Sequence, residues 1–201
     1  MQLLHDIRRL KRRFDETAAL DFFNASGREA AEECIAKLEA RTQERQPSET
    51  GQTPLSLSAL HGRVWVTRKG MHIDRIASAW LIRRFIDTEA AFRFVSPQTY
   101  QHRATELRFD MFDAEFTHEG ERCTFEVLLE RTGLTNPALQ AIAEIVHDID
   151  IKDEKFQREE AVGIDRLIAG LAMTHEADED RLARGSAVFD DLYAYFQRQQ
   201  R

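Results

Sequence analysis

Apolar residues recur at helical spacing through most of the last two thirds of the chain, between short polar or glycine-containing breaks. Gly133 is typical of the residue that follows a helix, and Asn136 with Pro137 is typical of a helix start. The pattern predicts five helices in this part of the chain: one that begins near His72, one over residues 124–131, one from Pro137 through PALQAIAEIVHDIDIKD, one over residues 159–174 and one over residues 178–199.

Two short runs of β-branched and aromatic residues alternate with these helices. Residues 63–67 (RVWVT) are followed by the turn at Lys69-Gly70, and residues 91–95 (AFRFV) are closed by Pro97. The order strand, helix, strand predicts a βαβ-like unit, with parallel pairing if the two strands are neighbours. Residues 107–116 have no clean period, and we interpret them as an irregular, acid-lined connection. The predicted fold class is α+β and predominantly helical, with a small sheet packed against about five helices.

The beginning of the chain is organised differently. Residues 3–45 predict a pair of helices separated at residues 24–27, and the second helix carries a thin apolar stripe that needs a packing partner. The segment QPSETGQTPLSLS has the composition of a linker. The sequence therefore predicts a helical N-terminal region over residues 1–45, a linker over residues 46–58 and a C-terminal domain over residues 59–201.

Composition narrows the class of protein. A chain of 201 residues with 42% hydrophobic content can bury one good core, and a net charge of −7 argues against nucleic-acid binding through the overall field. The basic run at residues 8–13 is better explained as a solvated helix face. Cys34 and Cys123 form neither a disulfide framework nor a zinc-finger spacing. Neither a signal peptide nor an apolar run of about 18 residues is present, so we expect a cytoplasmic protein that does not enter membranes.

Several common catalytic motifs are absent from the sequence. It contains no GxxxxGK[ST], GxGxxG, GxSxG or HExxH pattern. Nucleotide hydrolysis, Rossmann cofactors, α/β-hydrolase chemistry and zincin proteolysis therefore lack support.

The stretch RKGMHIDRIASAWLIRRFID, residues 68–87, places ionisable residues inside an apolar helical segment. Such groups cost several kcal/mol when buried, unless they are paired or ligated. His72 is a candidate metal ligand, and so is Asp74. The free N–H groups of the helix start, together with Lys69 and Arg75, predict an oxyanion site. The alternative is that Asp74 is a first-turn acid and that the arginines form surface ion pairs.

The helix from Pro137 carries a second set of candidates. On a helical wheel, His147 lies about 60° from Asp150, whereas Glu144 points away. This geometry favours His147 with Asp150 as metal ligands over a pair formed by Glu144 and His147. The alternative is that Asp150 only caps the end of the helix.

The segment THEGERCTFE carries a third set, made up of His118, Cys123 and Glu126. Glu126 is predicted to lean inward as a metal ligand, and His118 is an additional candidate in a turn. Cys123 precedes a helix, so it is a candidate catalytic thiol of lowered pKa; the alternative is a small buried hydrophobic residue. Together the sets predict a mixed nitrogen and oxygen site for Fe, Mn or Zn, with its ligands drawn from His72, Asp74, Glu126, His147 and Asp150.

Five motifs, GRVWVTRKGMHIDRIASAWLIRRFID, AFRFV, FDMFDAEFTHEGERCTFEVL, GLTNPAL and IAEIVHDIDIKDEKF, occur in the same order as in a known family. They resemble the C-terminal domain of the chromate-resistance protein ChrB family, over residues 62–196. Residues 21–39 resemble the tail of the N-terminal domain that such proteins carry, which is linked to the regulation of chromate-efflux genes. We expect most of that domain to be missing here.

The resemblance implies a role in chromate resistance or sensing, with chromate or its reduction products handled by the C-terminal domain. The matching polar positions are His72, Asp74, Arg75, His118, Cys123, Glu126, His147 and Asp150. The leading hypothesis is a chromate-sensing or sequestering protein that binds a metal, an oxyanion such as chromate, or both. A metal-dependent redox enzyme, acting in chromate reduction or superoxide removal, is the alternative. A DNA-binding regulator is the weaker alternative, and a homo-oligomer is left open.

Overall fold

Three short parallel strands form the sheet, and two of them are the predicted β-branched runs. Strand β1 spans Val64–Arg68 and pairs in parallel with β2, Ala91–Val95. A third strand, β3, spans Glu106–Arg108 and pairs with the other edge of β1, so the order is β2-β1-β3. The interpretation of residues 107–116 as an irregular connection is therefore wrong at its start. A strand of three residues is too short to show an alternating pattern.

The predicted α+β class with five helices is confirmed for the described part of the chain. The helices are α1 Ile73–Leu81, α2 Thr124–Thr132, α3 Pro137–Asp150, α4 Ala161–Thr174 and α5 Asp178–Gln199. The first of them continues as a π-helical turn over Ile82–Ile86. Gly133 ends α2 with a φ of 66°, and the side chain of Asn136 accepts the Ala138 N–H at the start of α3, as their residue types predict.

The computed structural model describes residues 57–97 and 99–199, together with Arg9. The chain separates into two units, Met1–Gly51 and Gln52–Arg201. The predicted N-terminal helices and most of the predicted linker lie outside the described residues. Within those residues, no helix combines the length and the apolarity that crossing a membrane would require.

The helices pack on one face of the sheet and bury its central strand. Trp65 of β1 belongs to the main core, while its neighbour Val66 faces a smaller cluster with Val95 and Met111. Successive strand residues point to opposite faces, which explains this division. The edge of the sheet where β1 and β3 end is left next to the starts of α1 and α2, and the candidate site lies there.

Helices α1 and α5 approach each other very closely at one glycine. A Cβ atom added to Gly185 would lie 2.4 Å from Cγ2 of Ile76, a side chain that is 1% exposed. Residues with a Cβ atom essentially never make so short a contact, and the branched Ile76 side chain has little room to move. Glycine is therefore required at this crossing.

We expect Gly185→Ala to destabilise the domain even though alanine favours helix by about 1 kcal/mol. Overpacking costs about 1–3 kcal/mol, so after the gain in helix propensity the free energy of unfolding should fall by up to about 2 kcal/mol. Urea unfolding measures this difference. The matched control is Gly170→Ala in α4, where a Cβ atom meets nothing within 4 Å among the described residues and stability should not fall. Equal stabilities of the two variants would contradict the close crossing.

Candidate metal centre

Asp74 joins the first two helices of the domain. It lies in the first turn of α1 and is 2% exposed. Its Oδ2 accepts the backbone N–H of Thr124 at 2.9 Å, and its Oδ1 accepts that of Phe125, also at 2.9 Å. These are the first N–H groups of α2, where the helix dipole favours negative charge. The N-terminus of α2 therefore binds a carboxylate that belongs to α1.

His118 brings three carboxylates together. Its Nε2 lies 3.1 Å from Asp74 Oδ2, 3.2 Å from Asp150 Oδ2 and 3.7 Å from Asp110 Oδ1. One donor atom each from Asp74, His118 and Asp150 lie within 4.8 Å of one another. Asp150 is the last residue of α3, and His118 lies in the turn before α2. The arrangement is a compact cluster of two carboxylates and an imidazole, with a third carboxylate beside it.

Asp110 is held in place by Arg75. Arg75 Nε donates to Asp110 Oδ2 at 2.6 Å, and its Nη1 donates to the carbonyls of Lys69 and Gly70. Asp110 is buried and has a φ of 44°, in the left-handed region that non-glycine residues rarely adopt. Burial and the nearby Asp74 raise the pKa of Asp110, against the opposing effect of Arg75.

The cluster forms at the carboxyl ends of two neighbouring parallel strands. Asp74 follows β1 through a short loop, and Asp110 lies two residues after β3. Open parallel sheets bind their ligands at this edge. The cluster therefore lies at the sheet edge where such folds usually bind ligands.

His118 is held in its positively charged form by the carboxylates of this cluster. Burial opposes its positive charge, but hydrogen bonds to Asp150 and Asp74 outweigh burial and raise its pKa from 6.5 to about 11.

The structure divides the sequence-predicted ligands between two clusters. Asp74 and Asp150 meet at His118, whereas His147 and Glu126 meet each other. The Nδ1 of His147 lies 2.7 Å from Glu126 Oε2, and its Nε2 lies 3.2 Å from each carboxylate oxygen of Asp153. The helical wheel favoured His147 and Asp150 as a pair. In the structure, His147 instead contacts Glu126 of α2 and Asp153 of the loop after α3.

His72 and Lys69 are not among the three residues of the cluster at His118. His72 is the exposed N-cap residue of α1; partial burial lowers its pKa, while Asp165 and Asp150 act in the opposite direction. Lys69 is exposed. The amides of the two residues before the N-cap donate to a carboxylate of the protein: Asp178 accepts the Gly70 N–H at 3.0 Å and the Met71 N–H at 2.8 Å.

Cys123 is the buried N-cap residue of α2. Its side chain accepts the backbone N–H of Glu126, and its own N–H donates to Glu126 Oε2 at 2.8 Å, which completes a capping box. Burial, with Asp74 and Glu126 nearby, raises the pKa of the thiol well above its usual value. The expectation of a lowered pKa is therefore wrong, and the small buried hydrophobic interpretation describes this thiol better.

Sequence reasoning missed two acids that the structure brings to these clusters. Asp110 follows a strand that was not recognised, and Asp153 lies in the loop after α3. Asp153 is the last residue of the predicted helix, but α3 ends at Asp150, so Asp153 lies one turn beyond the observed end. For Asp110 the only signal was an acidic residue directly after Phe109, within an apparently irregular segment.

Comparison with known proteins identifies the family of the chain. The family described as "ChrB, C-terminal domain" matches residues 65–196, so the chain belongs to the ChrB C-terminal domain family. Over 136 residues it is 38% identical to Protein ChrB of Cupriavidus metallidurans. The aligned region covers 67% of this chain and 41% of that protein. The chain thus spans less than half the length of this curated relative. No solved structure gives a significant match.

In protein prepared in the presence of a chelator, we expect His118 to stabilise the fold as a cation. Its pKa rises from 6.5 in the unfolded chain to about 11 in the site. The stabilisation is therefore complete below about pH 6.5 and is lost as the pH rises through about 11. Over this interval the stability of the wild type should fall relative to that of His118→Asn, as measured by denaturant unfolding. His61→Asn, which changes an exposed histidine, is the control. A constant difference would contradict a buried imidazolium.

Proposed function

We propose that this protein acts in the bacterial response to chromate, and that its C-terminal domain binds one divalent metal ion through Asp74, His118 and Asp150. The observation that carries the proposal is the convergence of these three side chains within 4.8 Å. The chromate role rests on membership of the ChrB C-terminal domain family.

The donor separations fit a bound metal. Neighbouring ligands of an octahedral ion lie about 3.0 Å apart when each is about 2.1 Å from the metal. The Nε2 of His118 lies 3.1 Å from the Asp74 oxygen and 3.2 Å from the Asp150 oxygen. Small adjustments of these side chains would let all three donors bind one ion.

Hydrogen bonding alone leaves the cluster incompletely satisfied. A single Nε2–H of His118 faces oxygens of Asp74, Asp150 and Asp110, and one N–H cannot donate well to all three. A divalent cation in place of that proton would interact with every one of these groups. Metal binding would release the proton from His118.

Charge and ligand type point to the class of metal. With a neutral His118, three carboxylates face two guanidinium groups, that of Arg75, which donates to Asp110, and that of Arg68, whose charge also acts on Asp110, so negative charge is in excess. Such an excess favours a divalent ion. Carboxylate and imidazole ligands suit Fe²⁺, Mn²⁺ and Zn²⁺. Thr124 and Phe125 fix Asp74 from behind, as partners of metal ligands usually do.

The metal is also the group that we propose to attract chromate. Asp178 occupies the amides of Gly70 and Met71, and Arg75 is engaged with Asp110. A bound dication supplies positive charge and open coordination positions for a tetrahedral oxyanion. Lys69, exposed at the end of β1, would add attraction from outside the cluster.

We expect the wild-type protein to bind one equivalent of Mn²⁺ or Fe²⁺, and Asp150→Asn to bind at least about 100-fold more weakly, because a ligand is lost rather than a supporting partner. Titration calorimetry and elemental analysis measure affinity and stoichiometry. Glu144→Gln is the matched control: it removes one negative charge from the same helix, at a residue that pairs with Arg158. A wild type without stoichiometric metal, or equal binding by both variants, would refute the site.

Chromate binding should depend on the bound metal. In equilibrium dialysis, we expect the metal-loaded wild type to retain chromate and the chelated protein to release it, because the oxyanion loses its positive partner. Asp150→Asn should behave like the chelated protein, and Glu144→Gln like the wild type. Equal retention with and without metal would rule out this route of recognition.

A further inference from the structure

The second cluster lies between the two helix ends that carry the candidate metal ligands. His147 is fully buried in α3, one turn before Asp150. Its partner Glu126 lies in the first turn of α2. Neither side chain is a ligand in the proposed metal site, so their burial needs a separate explanation.

Each ring nitrogen of His147 faces a carboxylate, which is the arrangement expected of a protonated imidazole. Nδ1 is 2.7 Å from Glu126 Oε2, and Nε2 is 3.2 Å from both oxygens of Asp153. Both ring nitrogens can donate only when the ring is protonated. Burial opposes that charge, but Glu126 and then Asp153 raise the pKa of His147. The charged hydrogen bonds connect α2 rigidly to α3.

Glu126 and Asp74 hold consecutive N–H groups of one helical turn. Glu126 Oε2 accepts the N–H of Cys123 at 2.8 Å, and Asp74 accepts those of Thr124 and Phe125. Through this turn, Glu126 fixes α2 against α3 while Asp74 fixes it against α1. A displacement of Glu126 would therefore move the groups that orient Asp74.

The end of α3 is fixed through the same network. His147 lies in the same turn as Asp150, and its contact with Asp153 restrains the loop that follows the helix. Asp148 adds two hydrogen bonds, accepting the N–H of Phe156 at 3.0 Å and that of Arg158 at 2.7 Å. These contacts restrain the end of α3, so the side chain of Asp150, its last residue, starts from a fixed backbone position.

We infer that Glu126 and His147 are positioning residues, whose ion pair holds Asp74 and Asp150 at the distances from His118 that metal binding needs. The inference rests on the proposed metal site and assigns this pair a part in that site's affinity. The two residues act through the backbone of α2 and α3 and do not touch the ion.

The test compares Mn²⁺ binding by the full-length wild type, Glu126→Gln and Glu130→Gln. Glu126→Gln should bind Mn²⁺ at least about ten-fold more weakly, as when partners that orient ligands are lost. The electron paramagnetic resonance spectrum of its bound Mn²⁺ should also broaden, because the ligand geometry is no longer uniform. Glu130→Gln makes the same change one turn along α2, at a side chain 60% exposed and paired with Arg122. Its affinity and spectrum should match those of the wild type.

The outcomes separate the inference from the proposed function. A wild type that binds no Mn²⁺ overturns both. A wild type that binds Mn²⁺, with Glu126→Gln equal to Glu130→Gln in affinity and spectrum, overturns the positioning role alone. If Glu126→Gln does not fold, Asp153→Asn replaces it. Asp153 is 37% exposed, so its loss should weaken binding by only about three-fold, and unchanged binding would overturn the inference.

Discussion

The rest of the domain depends on the carboxylate of Asp74 at the N-terminus of α2. A charged group this deeply buried would cost several kcal/mol without partners. Two amide hydrogen bonds and the helix dipole offset that cost, and both require α1 and α2 to meet at one fixed position. The contact therefore sets the relation between the two helices, and it also leaves Oδ2 facing His118.

Around this contact, the site is built almost entirely from the ends of regular elements. Asp74 is at the start of a helix, Asp150 is at the end of another, and Asp110 follows a strand. Backbone at such ends has unpaired N–H and C=O groups, and Arg75, Glu126 and their neighbours bind them. The side chains that would bind a metal are thus oriented by the same hydrogen bonds that terminate the helices.

Sequence patterns identified the helices and two strands well, because each is long enough to repeat its own period. They also identified Asp74 and Asp150 as site candidates. The helical wheel predicted the wrong partner for His147. A wheel gives the direction of a side chain on its own helix, but it does not show which element lies opposite. His118 was ranked low because a turn residue has no periodicity. Asp110 was missed for the same reason as β3, whose three residues carry no pattern.

The contact between Asp178 and the loop after β1 has a consequence for how the site is made. Asp178 is the first residue of α5. Its carboxylate accepts a hydrogen bond from the N–H of Gly70, which lies 108 residues earlier in the chain. Contacts of such long sequence separation form late, because closing the intervening chain costs entropy before any bond is gained. On a ribosome, the loop after β1 would acquire its final shape only once nearly the whole domain had been synthesised.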